Sequence, residues 1–124
     1  MRSGVANTRQ VIPEGTHTVR VLSAEHQRVQ WRRSHHNPLG EVLALRLAAG
    51  QEYAIVNLDI PRDKPGLRWM VAKGFGITPD QLDAEHLVGK PVVIDVEHVH
   101  TRRGQIKPVV MRWHPAQQQQ QPAR

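Results

Sequence analysis

Hydrophobic and polar residues alternate along several stretches of the chain, and between two of these stretches the spacing changes to that of a helix. Pro13-Glu14-Gly15 is a turn signal. From Thr16 to about Trp31 the residues favour a strand, with Val19 and Val21 on one face and Arg20 on the other. A polar loop follows over residues 32–40. From Glu41 to Ala48, Leu43, Leu45 and Leu47 point one way while Ala44 and Arg46 point the other. Ala49-Gly50-Gln51 reads as a tight hairpin turn. From Glu52 to Ile60, Ala54, Val56, Leu58 and Ile60 oppose Tyr53, Ile55, Asn57 and Asp59.

The period then lengthens. Leu67, Met70, Val71 and Phe75 fall at helical spacing, and Gly74 and Gly76 are expected to stop the helix. Thr78-Pro79-Asp80 predicts a brief helical turn near Leu82. Leu87-Val88-Gly89-Lys90 leads into a valine-rich fourth strand from Pro91 to about His100. Thr101-Arg102-Arg103-Gly104 is a turn, and a fifth strand runs from Gln105 to His114.

The order is β-β-β-α-β-β. It predicts an all-β protein with one short helix, built as a five-stranded OB-fold barrel over residues 13–115. Short alternating strands bury their apolar face only by closure or stacking, and a small barrel supplies this within the length available. An SH3-like barrel also accommodates five strands, but the helix between the third and fourth strands favours the OB layout. Residues 1–12 read as a flexible arm, and residues 116–124, with the glutamine run, as a disordered tail.

Composition narrows the function classes. The 124 residues suffice for one domain with one core. Without cysteine the chain has no disulfide and no thiolate metal site, which fits a cytoplasmic protein. The first ten residues carry Arg2 and Arg9 but no apolar run, unlike a signal peptide. No apolar stretch approaches the length of a membrane span. The net charge is +6, concentrated in residues 1–40, and most of the basic residues are arginine. A guanidinium donates two parallel hydrogen bonds to phosphate and stacks on bases, so the balance points to a polyanion partner.

Binding a single strand takes cations along the phosphates and flat side chains beneath the bases. Arg28, Trp31, Arg32, Arg33, His35 and His36 offer both within one strand-to-loop junction. Arg102, Arg103 and Lys107 form a second group at the turn before the last strand. Arg46, Tyr53 and Asn57 lie on the non-leucine faces of strands two and three, where an OB barrel stacks bases. The expected grip is between the two arginine loops. Trp69 lies off the helix's apolar stripe and is expected to pack over the barrel end, while Phe75 and Trp113 are expected in structural roles.

Pro13-x-Gly15, the Val19-x-Val21 strand, and two alternating strands joined by a tight turn come first. Then come Gly74-Phe75-Gly76-Ile77 and Leu87-Val88-Gly89-Lys90 before a valine-rich strand. In this layout residues 13–115 resemble the single-stranded-DNA-binding OB proteins of phages and mobile elements. The resemblance implies protecting or organising single strands in replication or recombination, largely without regard to sequence. It does not extend to the acidic, apolar-tipped tail by which many bacterial members recruit partners, because this chain ends in glutamines and Arg124. His17 also stands where such sequences often carry an aromatic residue.

Other chemistry finds less support. His98 and His100 share a strand face and His114 lies on the next strand, but no ligand pattern stands out, and no metal or other cofactor is expected. The plainer reading is that surface histidines gain charge below about pH 6.5 and add attraction for phosphate. No phosphate-cradling glycine loop and no nucleophile elbow is present, and Asp95 with Glu97 lacks a partner arrangement, so no enzyme is expected. The expected partner is single-stranded DNA, with RNA as the other nucleic acid served by the same groups. The alternative function is a protein-interaction adaptor of the primosome or plasmid-maintenance kind, forming a homodimer through its outer strand face.

Overall fold

Strands form where the apolar residues alternate. The computed structural model describes residues 10–50 and 53–116. Its elements are β1 (Gly15–Arg28), β2 (Glu41–Ala48), β3 (Val56–Pro61), α1 (Pro65–Phe75), α2 (Ala84–Leu87), β4 (Pro91–His100) and β5 (Ile106–His114). All pairings are antiparallel, in the order β3-β2-β1-β4-β5. The protein is thus mostly one five-stranded sheet with few helices.

Two expectations are corrected here. The hydrogen-bonded ladder ends at β3 on one side and β5 on the other, so the sheet is open rather than a closed barrel. The reason lies in α1, which touches β3, β4 and β5 and covers the core between the two edges. There are also two helices, not one. The four-residue α2 is capped by Asp83, whose carboxylate accepts from the His86 N–H at 2.9 Å. A 3-10 turn at Pro79–Gln81 precedes it, with the capping box of Thr78 and Gln81 fixing its start.

The core is the face predicted by the alternation. Leu43, Leu45 and Leu47 of β2 are buried with Val19 and Val21 of β1, Val56 and Ile60 of β3, and Val92, Ile94 and Val96 of β4. Between Val21 and Ser23 the β1–β2 register shifts, and Leu22 at the irregularity is exposed. A bulge of this kind bends a strand and turns its later side chains. It lets Ala24 take the core position that simple alternation assigns to Ser23.

On α1, Val71, Ala72 and Phe75 are buried, but Met70 is exposed although it belongs to the predicted stripe. Gly76 ends the helix in a left-handed conformation (φ +74°) with its N–H returned to the carbonyls of Ala72 and Lys73. Gly74 does not stop the helix. It lies inside it, where a Cβ would sit 2.7 Å from the Cβ of Trp113, so its role is to let α1 rest on β5.

The predicted third strand began at Glu52, which lies with Gln51 outside the described residues. The ladder of β3 begins only at Val56. Tyr53 instead bridges to Gln10, and the Ala54 N–H donates to the Gln10 carbonyl at 2.7 Å. Residues 10–12, read above as part of a flexible arm, are therefore tied to the fold. Ile12 is only 1% exposed, and its carbonyl contacts His98 Nε2 at 2.7 Å. Burying that side chain contributes about 2 kcal/mol. Ala116, placed in the predicted tail, is also buried. The rest of the predicted arm and tail, residues 1–9 and 117–124, lies outside the described residues.

Candidate functional site

The β1–β2 connection is the most elaborately built loop of the sheet. The Val29 N–H donates to the Gly40 carbonyl at 2.8 Å, closing the base of the loop. A 3-10 turn at Gln30–Arg32 follows, ending β1 before Trp31 rather than at it. Ser34 and Asn37 exchange two backbone hydrogen bonds of 3.0 and 3.1 Å. Asn37 organises the second half. Its Nδ2 donates to the Glu41 carbonyl at 2.9 Å and its Oδ1 accepts from the Glu41 N–H at 3.0 Å. Only 1% exposed, Asn37 is the one buried polar residue among the described residues. Gly40 has φ +64°, and a Cβ there would lie 2.1 Å from the Val29 carbonyl oxygen, so this position demands glycine.

The loop is also tied sideways. Ser34 Oγ donates to Asp63 Oδ2 at 2.7 Å, joining it to the connection between β3 and α1. That hydroxyl is the main reason the Asp63 carboxyl is held below the ordinary aspartate range.

On this frame stands Trp31, 81% exposed. At that exposure it does not plug the end of the core. Arg28, Arg32, Arg33, His35 and His36 around it are exposed too. Among the described residues the ion pairs are Arg62 with Glu41, His86 with Asp83 and His114 with Asp95, so no carboxylate neutralises Arg28, Arg32 or Arg33. Arg28, Gln30, Arg33 and Leu39 border a hollow of about 390 Å³. Arg32 borders a different one, together with Asp59, Asp63 and Lys64. The two histidine rings stack edge to face, 5.0 Å apart.

The remaining predicted residues fall elsewhere. Arg46 and Asn57 are exposed and directly opposite each other on β2 and β3. Tyr53 does not join them on the outer face. It is half-buried against the core cluster, with its ring edge-on to His17 at 6.2 Å. Because Tyr53 precedes the β3 ladder, the alternation of that strand does not orient it. Arg102, Arg103 and Lys107 are exposed on the β4–β5 hairpin.

Gly15 of β1 pairs with Val96, so β4 runs on past the start of β1 toward that hairpin, while the Trp31 loop follows the other end of β1. The two arginine loops therefore sit at opposite ends of the β1 ladder, and its register does not bring them together as the two sides of a grip.

Of three further residues, Trp113 takes its expected structural role, Trp69 departs from its prediction and Asn37 was not singled out. Trp69 does not pack over the core but is 54% exposed. Trp113 is half-buried, tilted against Phe75 at 5.9 Å. Asn37, which holds the loop, was read only as one residue of the polar loop over 32–40. Among the described residues no group of three or more His, Cys, Asp or Glu side chains is placed to hold a metal ion. His98 instead contacts the Ile12 carbonyl, and His114 contacts Asp95 Oδ2 at 2.9 Å. No helix of the described residues is long and apolar enough to cross a membrane.

Chemically, the loop carries an exposed indole and three arginines that form no salt bridge among the described residues. That combination suits a ligand with a flat aromatic part and an anionic part. Comparison of the chain with known protein families finds no family model that matches, and comparison with curated proteins finds no matching relative.

Proposed function

We propose that the protein binds single-stranded nucleic acid, DNA in the first instance, through the β1–β2 loop, and organises or protects the strand. The observation that carries this reading is Trp31. A tryptophan left mostly in water loses the burial that usually repays its large apolar surface. Here it stands on a loop fastened by the Asn37 side chain and by the Val29–Gly40 and Ser34–Asn37 backbone bonds, next in sequence to arginines that form no salt bridge among the described residues. Stacking under a base would recover that burial, and the arginines would meet the adjoining phosphates. Arg46 and Asn57, opposite each other on the outer face of β2 and β3, offer the strand a continuation.

The strand order supports a finer reading of the fold. β3-β2-β1-β4-β5 is the order of an OB barrel opened between β3 and β5, with the helix following β3 as in that layout. The resemblance to the phage and mobile-element proteins rests on the same features.

The test is a titration of the protein with oligo-dT, oligo-U and duplex DNA at several salt concentrations, followed by tryptophan fluorescence. The expected result is quenching by single strands that weakens steeply as salt rises. Stronger quenching by oligo-U would make RNA the ligand. Absence of quenching by either single strand, or equal affinity for duplex, would overturn the reading.

A further inference from the structure

A second aromatic site lies at the other side of the sheet. Trp69 on α1 is held by Lys73, whose ammonium sits 4.9 Å from the centre of its ring, while more than half of the side chain faces water. Opposite them runs the end of β5, the edge of the sheet. Trp69, Met70 and Lys73 from the helix, with Arg112, Trp113 and His114 from the strand, border a cleft of about 340 Å³.

Two features make this cleft a formed site. Trp113 packs on Phe75, and α1 approaches so closely at Gly74 that even a methyl group would clash with Trp113. Its indole is therefore fixed. The ionisable residues bordering the cleft are all bases: Lys73, Arg112 and His114. The nearest acid on β4, Asp95, is engaged by His114 at 2.9 Å and by the Thr16 hydroxyl at 2.7 Å. Neither Lys73 nor Arg112 forms a salt bridge among the described residues, although Arg112 lies opposite Asp95 in the ladder and, after the His114 and Thr16 hydrogen bonds, its charge helps hold that carboxyl below the ordinary range.

An occupant complementary to two indoles and two cations without a salt bridge has a flat aromatic body and a negative charge. An aliphatic acid would leave the rings unused, and a neutral aromatic would leave the cations unused. We infer that the cleft between α1 and β5 binds one nucleotide of a single strand, its base against Trp69 and its phosphate toward Arg112. The ligand class rests on the single-strand reading above, but the cleft shares no residue with the Trp31 loop.

The three tryptophans allow both sites to be read separately. In the intact protein each indole N–H gives its own NMR signal, assigned by single substitution. Oligo-dT is titrated into the unsubstituted protein and into Trp31→Ala, with inorganic phosphate as the comparison probe. The inference expects the Trp69 and Trp113 signals to shift saturably with oligo-dT in Trp31→Ala, and not with phosphate at the same concentration. Adding Trp69→Ala should weaken the remaining affinity about tenfold or more, read from the Trp113 signal. Arg112→Glu should remove the response while an unchanged circular dichroism spectrum shows the fold intact.

A response at Trp31 alone would overturn the cleft and leave the loop standing. A response at Trp69 and Trp113 without one at Trp31 would do the reverse. No response at any of the three would overturn both.

Discussion

Two loops of this sheet carry adjacent arginines, and they differ in what holds those arginines and what stands beside them. The β4–β5 turn holds Arg102 and Arg103 on three hydrogen bonds, two between Thr101 and Gln105 and one from the Gly104 N–H to the Thr101 carbonyl. None of its own residues is aromatic or buried. The β1–β2 loop holds Arg32 and Arg33 beside an exposed tryptophan, on a skeleton fixed by a buried asparagine and a glycine no other residue could replace. Charge alone attracts a polyanion from a distance. A flat side chain held in place gives a base somewhere to stop. The difference teaches that a pair of arginines is a poor guide to a binding site unless the backbone beneath them is built to present something else as well.

The comparison breaks most easily at Asn37. Asn37→Ala would leave the Glu41 N–H without its partner and the Glu41 carbonyl with the Arg62 N–H alone, which costs about 2 kcal/mol of stability. The urea midpoint should fall accordingly, and single-strand affinity should fall with it. The matched change in the other turn, Thr101→Val, removes one exposed hydrogen bond and should cost less than about 1 kcal/mol. Equal costs at the two positions would show that the first loop is no more built than the second.

Trp31→Ala separates presentation from folding. Because the side chain is 81% exposed, stability should change by less than about 0.5 kcal/mol. Binding to oligo-dT should weaken by about 2 kcal/mol, roughly thirtyfold. A change confined to stability would return Trp31 to a structural role.

The salt dependence sharpens the contrast further. Each phosphate contact on a single strand contributes about 0.7 to the slope of log affinity against log salt. Arg32→Ser with Arg33→Ser should therefore flatten the slope by about 1.4. Arg102→Ser with Arg103→Ser should flatten it less, because that turn lies at the far end of the β1 ladder. A larger effect from the second pair would invert the assignment of the binding loop.

Much of this was legible in the amino-acid order, and the failures have physical causes. Glu41 to Ala48 is a strand at both predicted ends, because strict alternation of Leu43, Leu45 and Leu47 admits one register only. Alternation failed for Tyr53, which is positioned by Gln10 from the start of the chain, a contact no local pattern encodes. It failed likewise for Ile12, an isolated apolar residue whose burial depends on where the fold leaves space. The open edges were hidden because strand count and helix position do not say whether β3 and β5 pair or whether α1 lies across them. At the candidate site, the sequence placed the arginines and the tryptophan together but left Trp31's exposure undecided. That depends on the 3-10 turn ending β1 early, which in turn depends on the bonds made by Gly40 and Asn37.

The smallest effect tests the tie between the loop and the rest of the sheet. Ser34 donates to Asp63 only while the carboxyl is ionised or keeps an oxygen free to accept, and this bond is the main cause of Asp63's lowered pKa. A carboxyl whose pKa is lower in the folded state contributes its stability fully above its unfolded pKa. That contribution is lost as pH falls through the folded value. The β1–β2 loop should therefore loosen in acid below the ordinary aspartate range, while the β4–β5 turn, which has no carboxylate in its hydrogen bonds, should not. Ser34→Ala should raise the Asp63 titration toward the ordinary range, followed by its carboxyl carbon signal in NMR. The amide signals of Gln30 to Gly40 should then lose the pH dependence that tracks it. If those amides titrate alike with and without the hydroxyl, the Ser34 side chain is not what fastens the loop, and its rigidity rests on Asn37 and the backbone bonds.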